Sequence, residues 1–421
     1  MSDAFCRQNA TMAGLGIRPC RPSSLGFAHQ LSRRGILSIS LCCWILSVNA
    51  VAESHKILEK TLFKASKENY RYSEAAVLNL DSRRHLLLVV STFTNGGHDD
   101  SPARLLAWES ADGGVTFHPF SPFVFQDNIG KKNVMSPSFL RLSRNEVLFF
   151  FLITNSSTDA GMWVRRSMDN GKTWGPAMRL PYDGYGGTAN DHVIRLRSGR
   201  ILVPYWVSRD ELKSTYSFCF YSDDRGQTWK KSNEITVQRL SIGRKTSPAA
   251  EEPAIIELKN GDVLMLLRTY VGTLYESVSH DGGVTWREPV SSGIPSPGAM
   301  PTLARIPQTG DILLLYNYAE PNEVHGPLPR TRMASAISRD EGSSFTSVRV
   351  LDGSKDFPGK MTMANVTFLG DDAVLFYSKT PDQKNFYSWM EQIIPIAWFY
   401  EGSSKKTFRS PAIPRSMATE K

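Results

Sequence analysis

The sequence predicts an all-β protein, a six-bladed β-propeller, on three observations: an eight-residue box repeated five times, six pairs of short strands threaded between the boxes, and turn residues that punctuate each pair. The box reads S-x-D-x-G-x-[ST]-[WF]. It occurs at Ser110 to Phe117, Ser167 to Trp174, Ser222 to Trp229, Ser279 to Trp286 and Ser338 to Phe345, with starts 57, 55, 57 and 59 residues apart.

Each part of the box has a physical reading as a tight turn between two strands. The aspartate (Asp112, Asp169, Asp224, Asp281, Asp340) can accept N–H bonds across the turn, and the glycine (Gly114, Gly171, Gly226, Gly283, Gly342) can take positive φ without a Cβ clash. The closing Trp or Phe buries a large ring between adjacent layers.

Between the boxes a short strand, a polar turn and a strongly apolar strand recur, the cue for paired neighbouring strands. The pairs are Glu74 to Leu80 with His85 to Thr92, Asn133 to Leu142 with Glu146 to Thr154, and Asp191 to Leu196 with Arg200 to Ser208. They continue with Glu252 to Leu258 and Asp262 to Tyr270, Met300 to Ile306 and Asp311 to Tyr318, and Met363 to Leu369 and Ala373 to Lys379. The sixth pair has no box, and Lys56 to Phe63 is expected to close the ring as its outer strand. The β-branched, aromatic, turn-rich composition excludes a helical solenoid and leaves two separate β-sandwiches as the alternative.

Residues 1–52 read as an export signal and 53–421 as the propeller domain. Arg33-Arg34 precede an apolar run through Leu41, Trp44 and Leu46, and Ala50-Val51-Ala52 gives a small-x-small cleavage pattern before Glu53. The run is shorter than the roughly 20 apolar residues of a membrane span, so no stable membrane anchor is expected. The paired arginines resemble a twin-arginine signal, and the expected location is secreted or periplasmic. Four of the five cysteines lie in the signal, which leaves Cys219 without a disulfide partner.

The signal holds five Arg and one Asp, leaving 44 Lys and Arg against 40 Asp and Glu in the remainder. So small an excess on so long a chain is no nucleic-acid footprint. There is no Walker motif, no dinucleotide fingerprint and no clustered metal-ligand spacing, so neither cofactor nor metal is expected. Oligomeric state is left open.

The five boxes resemble the Asp boxes of the sialidase (neuraminidase) superfamily, over residues 54 to 400, and imply a propeller of sialidase type. In that family the boxes are scaffold, and the site lies where the inner strands open on the central channel. The resemblance implies an arginine triad for a substrate carboxylate, an Asp acid/base, and a Tyr nucleophile activated by a Glu; arginine suits a carboxylate because its fork bonds it bidentately. Glu252, followed 16 residues later by Arg268, resembles the activating Glu and the second triad arginine. Arg330, with Arg332 as competitor, resembles the third, and Arg71 stands near the place of the first, with Glu74 where the family has proline. Asp99, with Asp100 in reserve, falls in the loop that carries the acid/base. The nucleophile position holds Met363, whose thioether cannot act as an oxygen nucleophile; Tyr377 and Tyr387 lie downstream, off the motif.

Two further strand openings are polar: Asn133-Val134-Met135-Ser136, and Asn190-Asp191-His192. They read either as channel residues for sugar hydroxyls, with Asp191 and His192 as an alternative acid/base pair, or as caps on strand ends. The expected function is exo-acting hydrolysis of a terminal acidic sugar from a glycan, sialic acid foremost. A direct inverting displacement would need no tyrosine. The alternatives are a non-catalytic carbohydrate-binding propeller and a hydrolase or lyase on another uronic-acid-containing glycan. N-terminal sequencing of the exported protein is expected to start at or near Glu53; a mature chain that keeps Trp44 would be anchored instead.

Overall fold

The computed structural model describes residues 57–412 apart from 82–83, 121–131, 157, 183, 210–213, 239–248, 321–329, 383, 385 and 402–405; the expected export signal lies outside the described residues. What is described is all-β, with one short 3-10 turn at Ile396–Tyr400.

The strands follow one another as antiparallel units. The first runs Arg71–Asn79, Leu86–Phe93, Ala103–Ser110 and His118–Pro119, and the second Asn133–Arg141, Val147–Thr154, Ala160–Ser167 and Met178–Arg179. The third runs Tyr185–Gly187, Ile194–Arg195, Ile201–Arg209, Ser214–Ser222 and Lys230–Lys231. Its first strand, expected as one run from Asp191 to Leu196, is in two pieces. Both pieces pair with Ile201–Arg209, and the backbone between them leaves the ladder around Asn190.

The fourth unit runs Glu251–Glu257, Val263–Arg268, Thr273–Ser279 and Val290–Pro295, and the fifth Thr302–Arg305, Ile312–Asn317, Arg332–Ser338 and Ser344–Gly353. The last runs Lys360–Leu369, Asp372–Thr380 and Ser388–Pro395, and its outer strand is Leu58–Phe63 from the start of the chain, as expected.

Three of the junctions between units are alike. Parallel bridges link Ala103 with Asn133 and Ala160 with Tyr185, and a third links Tyr387 of the last unit with Arg71 of the first. Apolar cores form between neighbours: Leu87 and Phe149 share one, Phe150 and Tyr205 the next, and Leu202 with Leu267, Leu266 with Leu314 and Leu315 with Leu375 belong to the following three. A sixth core brings Leu88 and Val90 of the first unit together with Phe376 and Trp389 of the last. Asn365 Nδ2 donates to the Ala75 carbonyl at 2.7 Å and Ser378 Oγ to that of Tyr72, so the same seam is pinned by buried polar groups.

All five boxes are one turn repeated. The Ser hydroxyl donates to its Asp at 2.7 to 2.9 Å and accepts the Gly N–H at 2.7 to 2.8 Å. The other Asp oxygen accepts the following Thr or Ser hydroxyl at 2.5 to 2.6 Å. These bonds, led by Thr173, hold the Asp169 carboxyl down at about 2. A Cβ at Gly226 or Gly283, where φ is 82° and 84°, would stand 2.9 or 2.8 Å from a leucine of the preceding unit. Trp174 and Trp229 pack on Phe149 and Phe150, as the expected interlayer role requires. Replacing Asp224 by Ala removes bonds from Ser222, Gln227 and Thr228, and is expected to cost about 1 to 3 kcal/mol. The check is a lower denaturant midpoint at unchanged slope; an unchanged midpoint would show that the turn holds without its carboxylate.

Candidate active site

The first strands of the units do not run straight. Glu74, Ser136, Asn190, Glu252 and Met363 have φ of 28°, 49°, 47°, 44° and 58°, although none is glycine. Ladder register slips beside four of them, between Ser73 and Ala75, Met135 and Ser138, Glu251 and Ala254, and Thr362 and Asn365. Each is an extra residue pushed out of its strand, a bulge that re-aims one side chain. Glu74, Ser136, Glu252 and Met363 thereby line one cavity of about 170 Å3 together with Asp99, Arg268 and Tyr270. Tyr185 and Trp206, rings 5.9 Å apart and edge-on, form an aromatic part of its wall.

Three arginines gather at this end. Arg268 Nη1 bonds Glu252 at 2.6 Å and Nη2 bonds the Tyr270 hydroxyl at 2.5 Å, while Tyr270 donates to Glu251 at 2.8 Å. Burial works against the Arg268 charge, but Glu252, Tyr270 and Glu251 outweigh it and hold the guanidinium protonated. Arg330 donates to two neutral groups, Thr362 Oγ1 at 3.0 Å and the Gly298 carbonyl at 2.9 Å; burial and then the Arg268 charge lower its pKa. Arg332 instead stacks over Tyr318 at 5.0 Å, because Arg330 precedes the strand that Arg332 begins and alternation along a strand does not relate them. Arg71 bonds Asp99 at 2.5 Å and Ser73 Oγ at 2.9 Å, and lies over the Phe93 ring.

The carboxylates differ in kind. Asp99 is exposed at the rim, and the Arg71 charge, outweighing burial, holds its carboxyl below the usual range; Arg268 and Arg330 add to the effect. Asp100 faces solvent near Lys132 at 3.8 Å. Glu74 is 3% exposed, its Oε2 has no hydrogen-bond partner, and Arg71 Nη2 stands 3.8 Å from Oε1. Burial pushes its carboxyl up to about 7; Arg71 opposes this, and Asp99 and Glu252 reinforce it.

The remaining polar openings bind backbone. Asn133 Nδ2 donates to the carbonyls of Asp99 and Ser101, steadying the loop that carries Asp99. Asn190 Nδ2 donates to the Ala364 carbonyl. Asp191 accepts from Phe139 N–H at 2.8 Å, Ser138 Oγ at 2.9 Å and Val77 N–H at 3.2 Å, which ties the first three units together. His192 Nδ1 donates to the Pro253 carbonyl and Nε2 lies 3.2 Å from Thr302 Oγ1; burial lowers its pKa to about 4. Asp191 and His192 thus turn to opposite neighbours and not to each other.

Of the polar opening Asn133 to Ser136 it is Ser136 that lines the cavity, while Asn133 holds the Asp99 loop; Asn190, Asp191 and His192 are not in the lining, which the third unit supplies through Tyr185, Thr188, Ala189 and Trp206. A signal for Ser136 was present: Ser136-Pro137, Glu252-Pro253 and Met300-Pro301 align the openings on a proline. Met363 packs with Ala189 and Met300 on the floor. Tyr377 donates to Asp352 and is no part of the cavity lining, whereas the Tyr387 ring lies 5.8 Å from Arg71. A larger open cleft, about 870 Å3, lies between outer turns around Arg141 and Lys172 and holds none of these groups.

The family model described as BNR repeat-like domain matches residues 123–392. Human Sialidase-4 is 40% identical over 82 residues, 15% of this chain and 17% of that protein. Sialidase-2 of Mus musculus is 24% identical over 268 residues, 55% of this chain and 66% of that protein. The chain therefore spans less than two thirds of either relative. The structure of Trypanosoma rangeli sialidase in complex with sialic acid superposes with a TM-score of 0.63 at 14% identity, over 82% of this chain and 59% of that one.

Glu74 makes stability depend on pH with a definite sign. Its folded pKa of about 7 exceeds the unfolded value of 4.5, so its contribution is full below the unfolded value and is lost as pH rises through the folded one. Glu74→Gln abolishes that loss, and thermal melts should place the variant above wild type at about pH 8 and close to it at about pH 4. A constant gap at both pH values would mean that Glu74 does not titrate between them.

Proposed function

The chain belongs to the BNR-repeat family of the sialidase superfamily, and from that premise we propose that it is an exported, exo-acting glycoside hydrolase that removes a terminal acidic sugar from a glycan, sialic acid first among the candidates. The observation that carries this reading is the convergence of Arg71, Arg268 and Arg330 on the end of the fold where Glu74 and Glu252 line a common cavity. A sugar carboxylate there meets preorganised guanidinium donors in a partly dry site, where charge-assisted bonds are strong. The aromatic wall of Tyr185 and Trp206 suits the apolar face of a sugar ring.

The reading places the site at the centre of a six-bladed propeller. It is supported by the repeated link between units and by the sixth core, which joins the last unit to the first. Among the described residues no group of His, Cys, Asp and Glu is arranged to hold a metal ion, and the chemistry proposed uses none. With Met363 in the cavity beside Glu252, a covalent intermediate on a tyrosine at that position is not available, and water attacks the anomeric carbon directly. The same methionine favours the second reading, a carbohydrate-binding propeller without turnover.

Arg330 gives the cleaner test of the anion site, since removing Arg268 would strand the buried charge of Glu252. Arg330→Ala is expected to weaken acidic-sugar binding by roughly tenfold to a few hundredfold in calorimetry, with Arg330→Lys recovering part of it. Unchanged affinity in a well-folded variant would make the arginine structural. Product analysis on sialosides and uronic-acid glycosides separates the substrates, and binding without products would establish the binding module.

A further inference from the structure

We propose that Glu74, not Asp99, is the general acid of the reaction, the group that hands a proton to the departing glycosidic oxygen; this rests on the hydrolase reading above.

A general acid must hold a proton at the moment of bond cleavage and face the bond. Asp99 fails the first condition, because its carboxylate is tied to Arg71 at 2.5 Å and an ionised carboxylate has nothing to donate. Glu74 meets both. It lines the cavity, it is almost wholly buried, and Oε2 has no partner. An unpartnered buried oxygen is unfavourable as part of an anion and serviceable as a neutral O–H that finds its acceptor in a ligand. Arg71 Nη2, at 3.8 Å from Oε1, is too far for a hydrogen bond, and its charge together with a hydrogen bond from Ser73 is outweighed by burial.

Its surroundings are arranged to the same end. The charged groups that face Glu74 are Arg71 from its own strand, Asp99 from the loop beyond the next strand and Glu252 from the fourth unit. Two of the three are acidic, and the one base stands closer to Asp99, at 2.5 Å, than to Glu74, at 3.8 Å. Glu252, by contrast, is paired with Arg268 at 2.6 Å. Two carboxyls in one cavity with opposite environments divide naturally into an acid and a base.

Packing does not account for a glutamate here. The corresponding residue of the last unit is Met363, at φ 58° and packed with Ala189 and Met300, so this backbone conformation does not itself call for a carboxylate.

The step balances simply. Glu74 gives its proton to the glycosidic oxygen as the bond from that oxygen to the anomeric carbon breaks, and the aglycone leaves as an alcohol. A water oxygen forms the new bond to the anomeric carbon and its proton passes to Glu252. Exchange with solvent resets both carboxyls.

The test uses the full mature chain and two glycosides of one acidic sugar: an aryl glycoside, whose leaving group needs no proton, and a sugar-linked one, which does. Glu74→Gln is expected to lower turnover of the sugar-linked substrate by about 100-fold to 10,000-fold and that of the aryl substrate by less than about tenfold. Binding of the free acidic sugar should be unchanged, and the variant should lose the alkaline limb that wild-type kcat/KM shows on the sugar-linked substrate. Equal losses on both substrates, or weakened sugar binding, would make Glu74 a binding or structural residue. Full activity of Glu74→Gln on both would give the acid role to another group and leave the hydrolase reading intact. A wild-type protein that binds the sugar but cleaves neither glycoside would overturn the hydrolase reading, and this assignment with it.

Discussion

Positive φ at Glu74, Ser136, Glu252 and Met363 is the constraint on which the cavity depends. A regular strand would keep its ladder intact and send alternate side chains into the cores between units. Slipping the register by one residue beside the bulge sacrifices a ladder bond and frees one side chain to leave that alternation. Non-glycine residues in that region cost of order 1 to 3 kcal/mol each, so the surroundings must over-determine them.

The means are visible in the polar groups nearby. Asp191, His192, Asn133, Asn190 and Asn365 spend their hydrogen bonds on backbone groups of other strands and loops. Ser91 Oγ accepts the N–H of Ser136 itself at 3.0 Å. Buried side-chain amides and a buried neutral imidazole thus take over what the interrupted ladders leave unsatisfied, which keeps the bulges from relaxing. The boxes serve the opposite end of the strands: they complete their hydrogen bonds within one turn and leave the centre free to be irregular.

That division also separates the roles of the charged groups. Arg268 stays protonated against burial because Glu252 stands at 2.6 Å, and Asp99 stays ionised because Arg71 does the same for it. Glu74 lies between these pairs without a hydrogen bond of its own at Oε2. The asymmetry among three carboxyls comes from pairing and burial alone.

The boxes were legible from the chain because everything they need lies within eight residues: Ser110, Asp112, Gly114 and Thr116 bond one another whatever surrounds them. The strand pairs were legible for a similar reason, each being two neighbouring apolar runs across a short turn. Arg71, Glu252, Arg268 and Arg330 were nameable from their place in that repeat. What the tertiary structure alone decided is which way each opening faces and what state its charge is in. The chain offered Asn133, Asn190, Asp191 and His192 as channel residues, and the structure turns all four to hydrogen bonds within the protein while the bulge presents Ser136 to the cavity. It offered Asp99 as the proton carrier, and assembly paired Asp99 with Arg71 at 2.5 Å while burying Glu74 with Oε2 unpartnered. The physical reason is that facing depends on a one-residue register slip, and ionisation on burial and on charges brought together from distant parts of the chain, neither of which local sequence contains.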